Sequence, residues 1–220
     1  MANLLSKLVA KLNPAAVWNK KYRTDEWVYT KVENRFVREL CEPLEPGTAI
    51  DLGGGEGRNS MWLAKRGWTV ENIDFSAVAL KKFQTWVNEE AAADASLASR
   101  ALATKADARG FRSQLAPVDL GVVAYLQIPE AELAKALGDL VSAIKPGGTL
   151  VGVWHSRDNL EGGFGGPRNP DVLPNVASIK KALANAPIDI AILENREGQI
   201  QTAQGLKPST TLILKGTVRE

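Results

Sequence analysis

The sequence has almost no residues for covalent or metal cross-links. Among its 220 residues there is one cysteine, Cys41, and one histidine, His155. A single cysteine excludes an intrachain disulfide and a cysteine-based metal cluster, so we expect no metal site. A chain of this length buries about 70% of its unfolded surface when it folds as one domain. Apolar packing must therefore hold the fold together.

Long apolar runs and a dominant charge are also missing. No run of about 18 apolar residues occurs, so no membrane-spanning helix is predicted. The formal net charge is only +2, which gives no reason to expect a nucleic-acid partner. The beginning of the chain lacks the small-residue cleavage site that is typical of a signal peptide. These absences predict a cytoplasmic protein with neither a nucleic-acid nor a membrane partner.

The most informative stretch is residues 48–60, which read TAIDLGGGEGRNS. A short apolar run ends in Asp51, a glycine-rich turn follows, and a helix is predicted over 58–66. The glycines are Gly53, Gly54, Gly55 and Gly57. A strand, a glycine turn and a helix start form the place where open α/β sheets bind nucleotides. Glycine permits positive φ and the close approach of a ligand, and the free N–H groups of the helix start favour an anion.

The glycine spacing decides between ligand classes. A dinucleotide fingerprint that starts at Gly53 needs a third glycine at position 58, where Arg58 stands. A P-loop needs a Gly-Lys-Ser/Thr triplet, which the stretch lacks. The pattern D-x-G-x-G-x-G from Asp51 to Gly57 resembles motif I of the class I S-adenosylmethionine-dependent methyltransferases. That resemblance implies that the turn, with Asn59 just after it, binds S-adenosylmethionine or its product S-adenosylhomocysteine. Relatives of the tellurite-resistance type often carry Cys or Ala at the position of Gly54.

Two further acids follow predicted strands. Asp74 ends a second strand predicted over 68–74, where an acid can accept both hydroxyls of a ribose. The family resemblance gives Asp74, with Phe75 beside it, this ribose-binding role. Asp107 and Ala108 follow a third strand predicted over 100–106. By the same resemblance, the acid at this place binds the adenine amino group.

The N-terminal part is predicted to be a helical cap over residues 1–30, followed by a methyltransferase domain over 31–220. Residues 1–13 have leucines at helical spacing, which predicts an amphipathic helix that packs on the sheet or on a second subunit, so a homodimer is possible. Trp18 and Tyr22 lie four residues apart and share a helical face. In methyltransferases of the tellurite-resistance type, similar segments fold over the cofactor. Trp18, Tyr22 or Trp27 can then supply an aromatic face for the sulfonium cation, or the aromatic side chains can simply brace the helix.

The second half of the chain completes the predicted fold. The further predicted elements are, in chain order, helices over 31–41 and 76–90, a strand over 117–125, a helix over 130–145, a strand over 149–155, a long loop over 156–174, a helix over 176–185, and strands over 188–196 and 209–217. The helix, Pro-Gly-Gly turn and strand that span 130–155 resemble the same region of class I methyltransferases. We therefore expect an α/β fold: a three-layer Rossmann-like sandwich with a mostly parallel seven-stranded sheet and an antiparallel edge strand.

Methyl transfer from a sulfonium is a direct displacement, so the protein must mainly align the reactants and exclude water. A base is needed only when the acceptor must lose a proton. His155 and Tyr125, at the ends of two predicted strands, are the candidate catalytic residues; a structural histidine bonded to a loop carbonyl is the alternative. The glycine-rich loop over 156–174 is predicted to be a lid over the acceptor. The sequence thus favours methyl transfer to a small-molecule acceptor, over a catalytically silent S-adenosylmethionine-binding protein or a nucleotide-dependent dehydrogenase.

Overall fold

The computed structural model describes residues 14–220. The helix predicted over 1–13 lies outside these residues. The strands are β1 (Thr48–Leu52), β2 (Thr69–Asp74), β3 (Ala101–Lys105), β4 (Val118–Ala124), β5 (Ile144–His155), β6 (Ile188–Thr202) and β7 (Gly205–Val218). The helices are α1 (Pro14–Tyr22), α2 (Arg35–Cys41), α3 (Arg58–Lys65), α4 (Ala77–Glu90), α5 (Leu97–Arg100), α6 (Glu130–Ser142) and α7 (Val176–Ala182).

All seven strands form one sheet in the order β3-β2-β1-β4-β5-β7-β6. Strands β1 to β5 pair in parallel, whereas β7 runs antiparallel to both β5 and β6. The predicted fold class is confirmed, with the reversed strand lying one place in from the edge. The strand order changes direction between β1 and β4. In open α/β sheets, ligands bind at the carboxyl ends of the strands at such a point.

The sheet is covered on both faces. Within β1, Ile50 and Leu52 belong to one buried apolar cluster and Ala49 belongs to another. Because successive side chains of a strand point to opposite faces, these two clusters are the two faces of the sheet. Apolar side chains on both faces explain why β1 reads as a nearly continuous apolar run. Since both faces of the sheet are covered, its carboxyl edge is the place where a ligand can bind.

Element ends follow from local capping. Helix α2 begins at Arg35 rather than at 31, because the Asn34 side chain accepts the N–H groups of Phe36 and Val37. Ser76 caps α4, because its side chain accepts the N–H of Ala79. The Pro-Gly-Gly segment does not precede β5 but lies within it. Ile144 of β5 pairs with Val118 of β4, but the next paired residue of β5 is Thr149, opposite Leu120, so the segment between them is an irregularity in the strand.

Strands β6 and β7 are longer than predicted and form a hairpin. The pairing of β5 with β7 ends at His155 and Thr211. The pairing of β6 with β7 continues from there to Thr202 and Gly205. The end of this hairpin therefore extends past β5 at the edge that carries His155. Among residues 14–220, none of the helices has both the length and the apolar character needed to cross a membrane.

Candidate functional site

The glycine turn between β1 and α3 is built from residues with left-handed backbone. The φ angles are 73° at Gly53, 57° at Gly55 and 82° at Gly57, a region that L side chains avoid. A Cβ added at Gly57 would lie 2.1 Å from Phe83, so the turn also needs glycine for its approach to α4. The predicted strand, turn and helix start are all present.

Gly54 is explained by its neighbour on β2. A Cβ at Gly54 would lie 2.4 Å from the side-chain oxygen of Asn72. The amide nitrogen of Asn72 donates to the carbonyl of Gly55 at 3.1 Å. Asp51 Oδ2 lies 2.7 Å from the same Cβ position, so Asn72 and Asp51 together occupy the space that a Cys or Ala side chain would need.

Asp51, at the end of β1, is fully buried. One of its oxygens accepts the hydroxyl of Ser60 at 2.6 Å, and the other has no partner among the described residues. Burial raises the pKa of Asp51 to about 6, although the hydroxyl of Ser60 opposes that shift. Through Ser60, Asp51 ties the end of β1 to the first turn of α3.

Asp74 lies beside the glycine turn, as predicted. Its carboxylate accepts the N–H of Gly55 at 3.0 Å and the N–H of Ser76 at 2.7 Å. Burial raises the pKa of Asp74, against the lowering effect of these two bonds. Phe75, the next residue, is half-buried. The structure thus brings the predicted ribose-binding acid and the predicted cofactor turn together.

Helix α1 covers the turn through one aromatic side chain. Trp18 and Tyr22 stack with their ring centroids 5.6 Å apart. Tyr22 is 5% exposed, and a Cβ at Gly55 would lie 2.8 Å from its hydroxyl oxygen. Burial, followed by the charge of Asp74, raises the pKa of Tyr22. Trp27 instead meets Trp86 edge-on at 5.1 Å, so its ring packs on α4.

Tyr125 and His155 meet at the ends of the adjacent strands β4 and β5. Their ring centroids are 4.7 Å apart. Tyr125 has a φ of 58°, and a non-glycine residue held in this region at a strand end is typical of a functional site. A Cβ at Gly166 would lie 2.6 Å from Cγ of His155, and one at Gly165 would lie 3.6 Å from Cε1. The imidazole therefore lies close to both the Tyr125 ring and a glycine backbone.

The environment of His155 favours its neutral form. Burial lowers its pKa, and the positive charge of Arg58 lowers it further. Its Nδ1 has no hydrogen-bond partner among the described residues, so the expected alternative, a bond to a loop carbonyl, is not made through this atom. The guanidinium carbon of Arg58 lies 5.7 Å from the Tyr125 ring centroid. Sequence reasoning treated Arg58 only as a break in the dinucleotide pattern, because its nearness to β4 and β5 depends on the fold.

Asn59, which is predicted to bind the cofactor, also contacts another part of the chain. Its side-chain oxygen accepts the N–H of Asn34 at 2.9 Å, and its side chain is buried. The Asn34 amide in turn donates to the hydroxyl of Tyr125 at 3.3 Å. Asn59 therefore supports the loop that orients Tyr125. Asn34 was missed as a site residue, since its sequence context signals only a helix cap.

Asp107 and Ala108 follow β3, as predicted. The exposed carboxylate of Asp107 accepts from the backbone and side chain of Arg109, at 3.0 and 2.8 Å. The Arg109 guanidinium holds the pKa of Asp107 below its usual range. Ala108 is buried in the same apolar cluster as Phe111, so only its backbone is left to contact a ligand. The adenine-binding role of this pair stays a prediction.

The loop over 156–174 is more ordered than predicted. It contains short 3₁₀ turns at Arg157–Leu160 and Pro170–Val172. The buried amide of Asn159 donates to the carbonyls of Phe164 and Gly165, at 3.1 and 3.0 Å. Its oxygen accepts the N–H of Thr210 at 2.7 Å. Asn159 therefore fixes the loop to β7, and these contacts favour a wall of the site over a closing lid.

The glycine turn and strands β1 to β4 lie within a stretch that matches a known protein family. The sequence model of the family described as "Tellurite resistance protein TehB" matches residues 15–148, more than half of the chain. The chain belongs to the TehB family. This confirms the prediction of a class I S-adenosylmethionine-dependent methyltransferase of the tellurite-resistance type.

Solved structures of other proteins share the fold of this TehB-family chain. TehB from Haemophilus influenzae is 15% identical, with a TM-score of 0.66 over 92% of this chain and 66% of that one. A structure described by the conversion of a disulfide bond into a thioacetal group during echinomycin biosynthesis has a TM-score of 0.72, with 17% identity over 93% of each chain. Magnesium protoporphyrin IX methyltransferase from Synechocystis, solved with bound SAM, has a TM-score of 0.62, with 16% identity over 94% of this chain and 97% of that one.

One curated relative shares a short, more similar segment. Ribosomal RNA small subunit methyltransferase C from Alcanivorax borkumensis is 50% identical over 36 residues. That match spans 16% of this chain and only 11% of the length of the relative.

The residues of this TehB-family protein fit the cofactor of its class. The glycine turn presents backbone without side chains, and at Gly55 the hydroxyl oxygen of Tyr22 lies 2.8 Å from the place where a Cβ would stand. The carboxylate of Asp74 accepts one bond on each oxygen, which leaves acceptor capacity for ribose hydroxyls. The Tyr22 ring supplies an aromatic face near the same turn, which suits a sulfonium cation.

Proposed function

We propose that this TehB-family protein methylates a small-molecule acceptor that lies against Tyr125, His155 and Arg58. The observation that carries the proposal is the imidazole of His155 at the carboxyl end of β5, whose pKa is lowered and whose Nδ1 has no hydrogen-bond partner within residues 14–220. An imidazole that is neutral near pH 7 can accept a proton. Family membership supports S-adenosylmethionine as the methyl donor.

The bound cofactor supplies an electrophilic methyl group on sulfur. The other functions belong to the chain. The glycine turn and Asp74 bind the cofactor, and Tyr22 covers it. His155 takes the proton that the acceptor loses. Tyr125 accepts a hydrogen bond from Asn34, so its own hydroxyl proton is free to be donated to the acceptor. Arg58 adds positive charge beside these groups.

Two named structural relatives support the small size of the acceptor. One is the magnesium protoporphyrin IX methyltransferase and the other is the glycopeptide N-methyltransferase MtfA, which has a TM-score of 0.60 and 16% identity over 83% of this chain and 92% of that one. The cap over 1–30, a cytoplasmic location and a possible homodimer remain proposals from the sequence.

The test is the release of S-adenosylhomocysteine in a screen of thiols, oxyanions and small phenols. An active acceptor should be methylated far more slowly by His155→Gln and Tyr125→Phe variants that still bind the cofactor. Cofactor binding with no turnover of any acceptor would favour a catalytically silent binding protein. Binding of NAD with none of the sulfonium cofactor would refute the proposal.

A further inference from the structure

A buried carboxylate lies inside the glycine turn but binds a different part of the chain. Glu56 stands between Gly55 and Gly57, and its side chain is only 4% exposed. Its oxygens accept the backbone N–H of Val28 at 3.1 and 3.3 Å and the N–H of Tyr29 at 3.3 Å. A charge this well buried is costly unless it is paired and hydrogen-bonded.

Lys82, on α4, completes the arrangement. Its ammonium lies 2.9 Å from Glu56, and its side chain is 19% exposed. The same ammonium donates to the carbonyl of Glu26 at 2.7 Å and to the hydroxyl of Thr24 at 3.4 Å. Residues 24–29, which we call the strap, are thus bound to the cofactor turn and to α4 by one ion pair.

The strap continues from α1, which covers the turn through Tyr22. Helix α1 has a second attachment, where the side-chain oxygen of Asn19 accepts the hydroxyl of Ser76 at 2.8 Å. Because Tyr22 lies over Gly55, a cofactor on the turn is covered while α1 stays in place. Release of the cofactor therefore requires α1, and the strap behind it, to move.

The strap is held by one apolar contact and by several polar bonds. Trp27 packs edge-on against Trp86 of α4, whereas the residues from Thr24 to Glu26 are exposed. A segment held by polar bonds at the surface belongs to the part of a protein that opens locally. The bonds to Glu56 and Lys82 are therefore the attachments whose loss should loosen the strap between α1 and Trp27.

We propose that Glu56 and Lys82 are positioning residues that hold α1 over the bound cofactor and so set its rate of release. This inference rests on the proposed use of S-adenosylmethionine. Glu56 performs two tasks, since it accepts two N–H groups and pairs with an ammonium. A glutamine retains an acceptor for the N–H groups, whereas an alanine removes both functions.

The experiment measures dissociation of radiolabelled S-adenosylhomocysteine, chased with unlabelled compound. Glu56→Ala should raise the dissociation rate by about tenfold or more, and Glu56→Gln and Lys82→Met by about threefold or more, because bonds to charged groups are lost. Lys135→Met is the matched control, since it breaks an exposed ion pair with Asp139 on α6. It should leave the rate within about twofold.

A second readout does not need the cofactor. Arg23 is exposed between α1 and the strap, so trypsin should cleave after it faster in the Glu56 and Lys82 variants, with the control unchanged. The exchanged variant Glu56→Lys with Lys82→Glu restores the ion pair but offers the N–H groups no acceptor at position 56, so release should stay fast.

Unchanged dissociation and unchanged cleavage in the Glu56 and Lys82 variants would overturn the inference. If Glu56→Ala does not fold, Glu56→Gln and Lys82→Met carry the same test. If the unaltered protein binds neither the cofactor nor its product, the proposed function fails, and the trypsin comparison still decides whether the strap is held as described.

Discussion

Replacing Gly166 by alanine should displace the imidazole of His155. The new Cβ would lie 2.6 Å from Cγ of His155, about 1 Å short of an ordinary carbon–carbon contact. The φ of Gly166 is 75°, which costs roughly 1–2 kcal/mol for a residue with a Cβ. Together with the clash, we expect a loss of about 2–4 kcal/mol in the free energy of unfolding.

The effect on activity should exceed the effect on cofactor binding. A displacement of about 1 Å in a group that contacts the reacting atoms can cost about 100-fold in rate. Affinity for S-adenosylhomocysteine should change by less than about 0.5 kcal/mol, because Gly166 lies against His155 and not against the glycine turn. The measurements are kcat/KM with the acceptor from the screen, calorimetric binding, and urea unfolding.

Gly162→Ala is the control for backbone strain. Its φ is 86°, and no atom lies within 4 Å of the added Cβ. It should therefore lose roughly 1–2 kcal/mol of stability from the backbone alone and keep its rate of methyl transfer. If Gly166→Ala transfers methyl at the rate of the unaltered protein, the argument that the loop positions His155 is refuted. If both variants lose rate equally, the result favours a mobile loop, as a lid requires.

Three other substitutions test the residues in and around the glycine turn. Asp74→Ala should weaken cofactor binding by roughly 1.5–3 kcal/mol, measured by calorimetry, with little change in melting temperature; unchanged affinity would place the ribose elsewhere. Asp51 has a folded pKa of about 6, above its unfolded value of about 3.9, so the folded state binds the proton more tightly. The stabilisation by this bound proton is complete below about pH 4 and is lost as the pH rises to about 6, so the free energy of unfolding falls by at most about 3 kcal/mol over that range. Asp51→Asn should remove this fall, measured by urea unfolding at several pH values. An unchanged dependence of the free energy of unfolding on pH would contradict the argument. Gly54→Ala should destabilise the protein by about 1–3 kcal/mol, and less when Asn72→Ala is also present; strict additivity of the two would exclude the proposed contact.

The parts of the site that were predictable are those set by local pattern and sheet geometry. Asp51 and Asp74 each end a strand, and parallel strands bring their carboxyl ends to one edge. Their meeting with the glycine turn therefore followed from spacing. The position of His155 at the same edge followed from the same rule.

The parts that were missed depend on contacts between distant segments. Glu56 reads as a spacer between two glycines, and only the folded chain brings it to Val28 and Lys82. In the sequence Asn159 is only a loop residue, and its bond to Thr210 of β7 exists only in the folded chain. The glycines of that loop predicted mobility, but glycine is equally required where a backbone passes against a ring, as Gly166 does.

The outer part of the hairpin of β6 and β7 lies beyond the pairing with β5. The last residue pair between β5 and β7 is His155 and Thr211. The part of the hairpin that continues to Thr202 and Gly205 therefore pairs only with itself. Ile200, in this outer part, reaches the loop, with its Cδ1 2.7 Å from the Cβ position of Gly165. Lengthening or shortening the hairpin in steps of two residues would preserve strand register while it changes the depth of the wall beside His155. Under the proposed function, changes in this part of the hairpin would alter the space for an acceptor beside His155 without any change to the glycine turn.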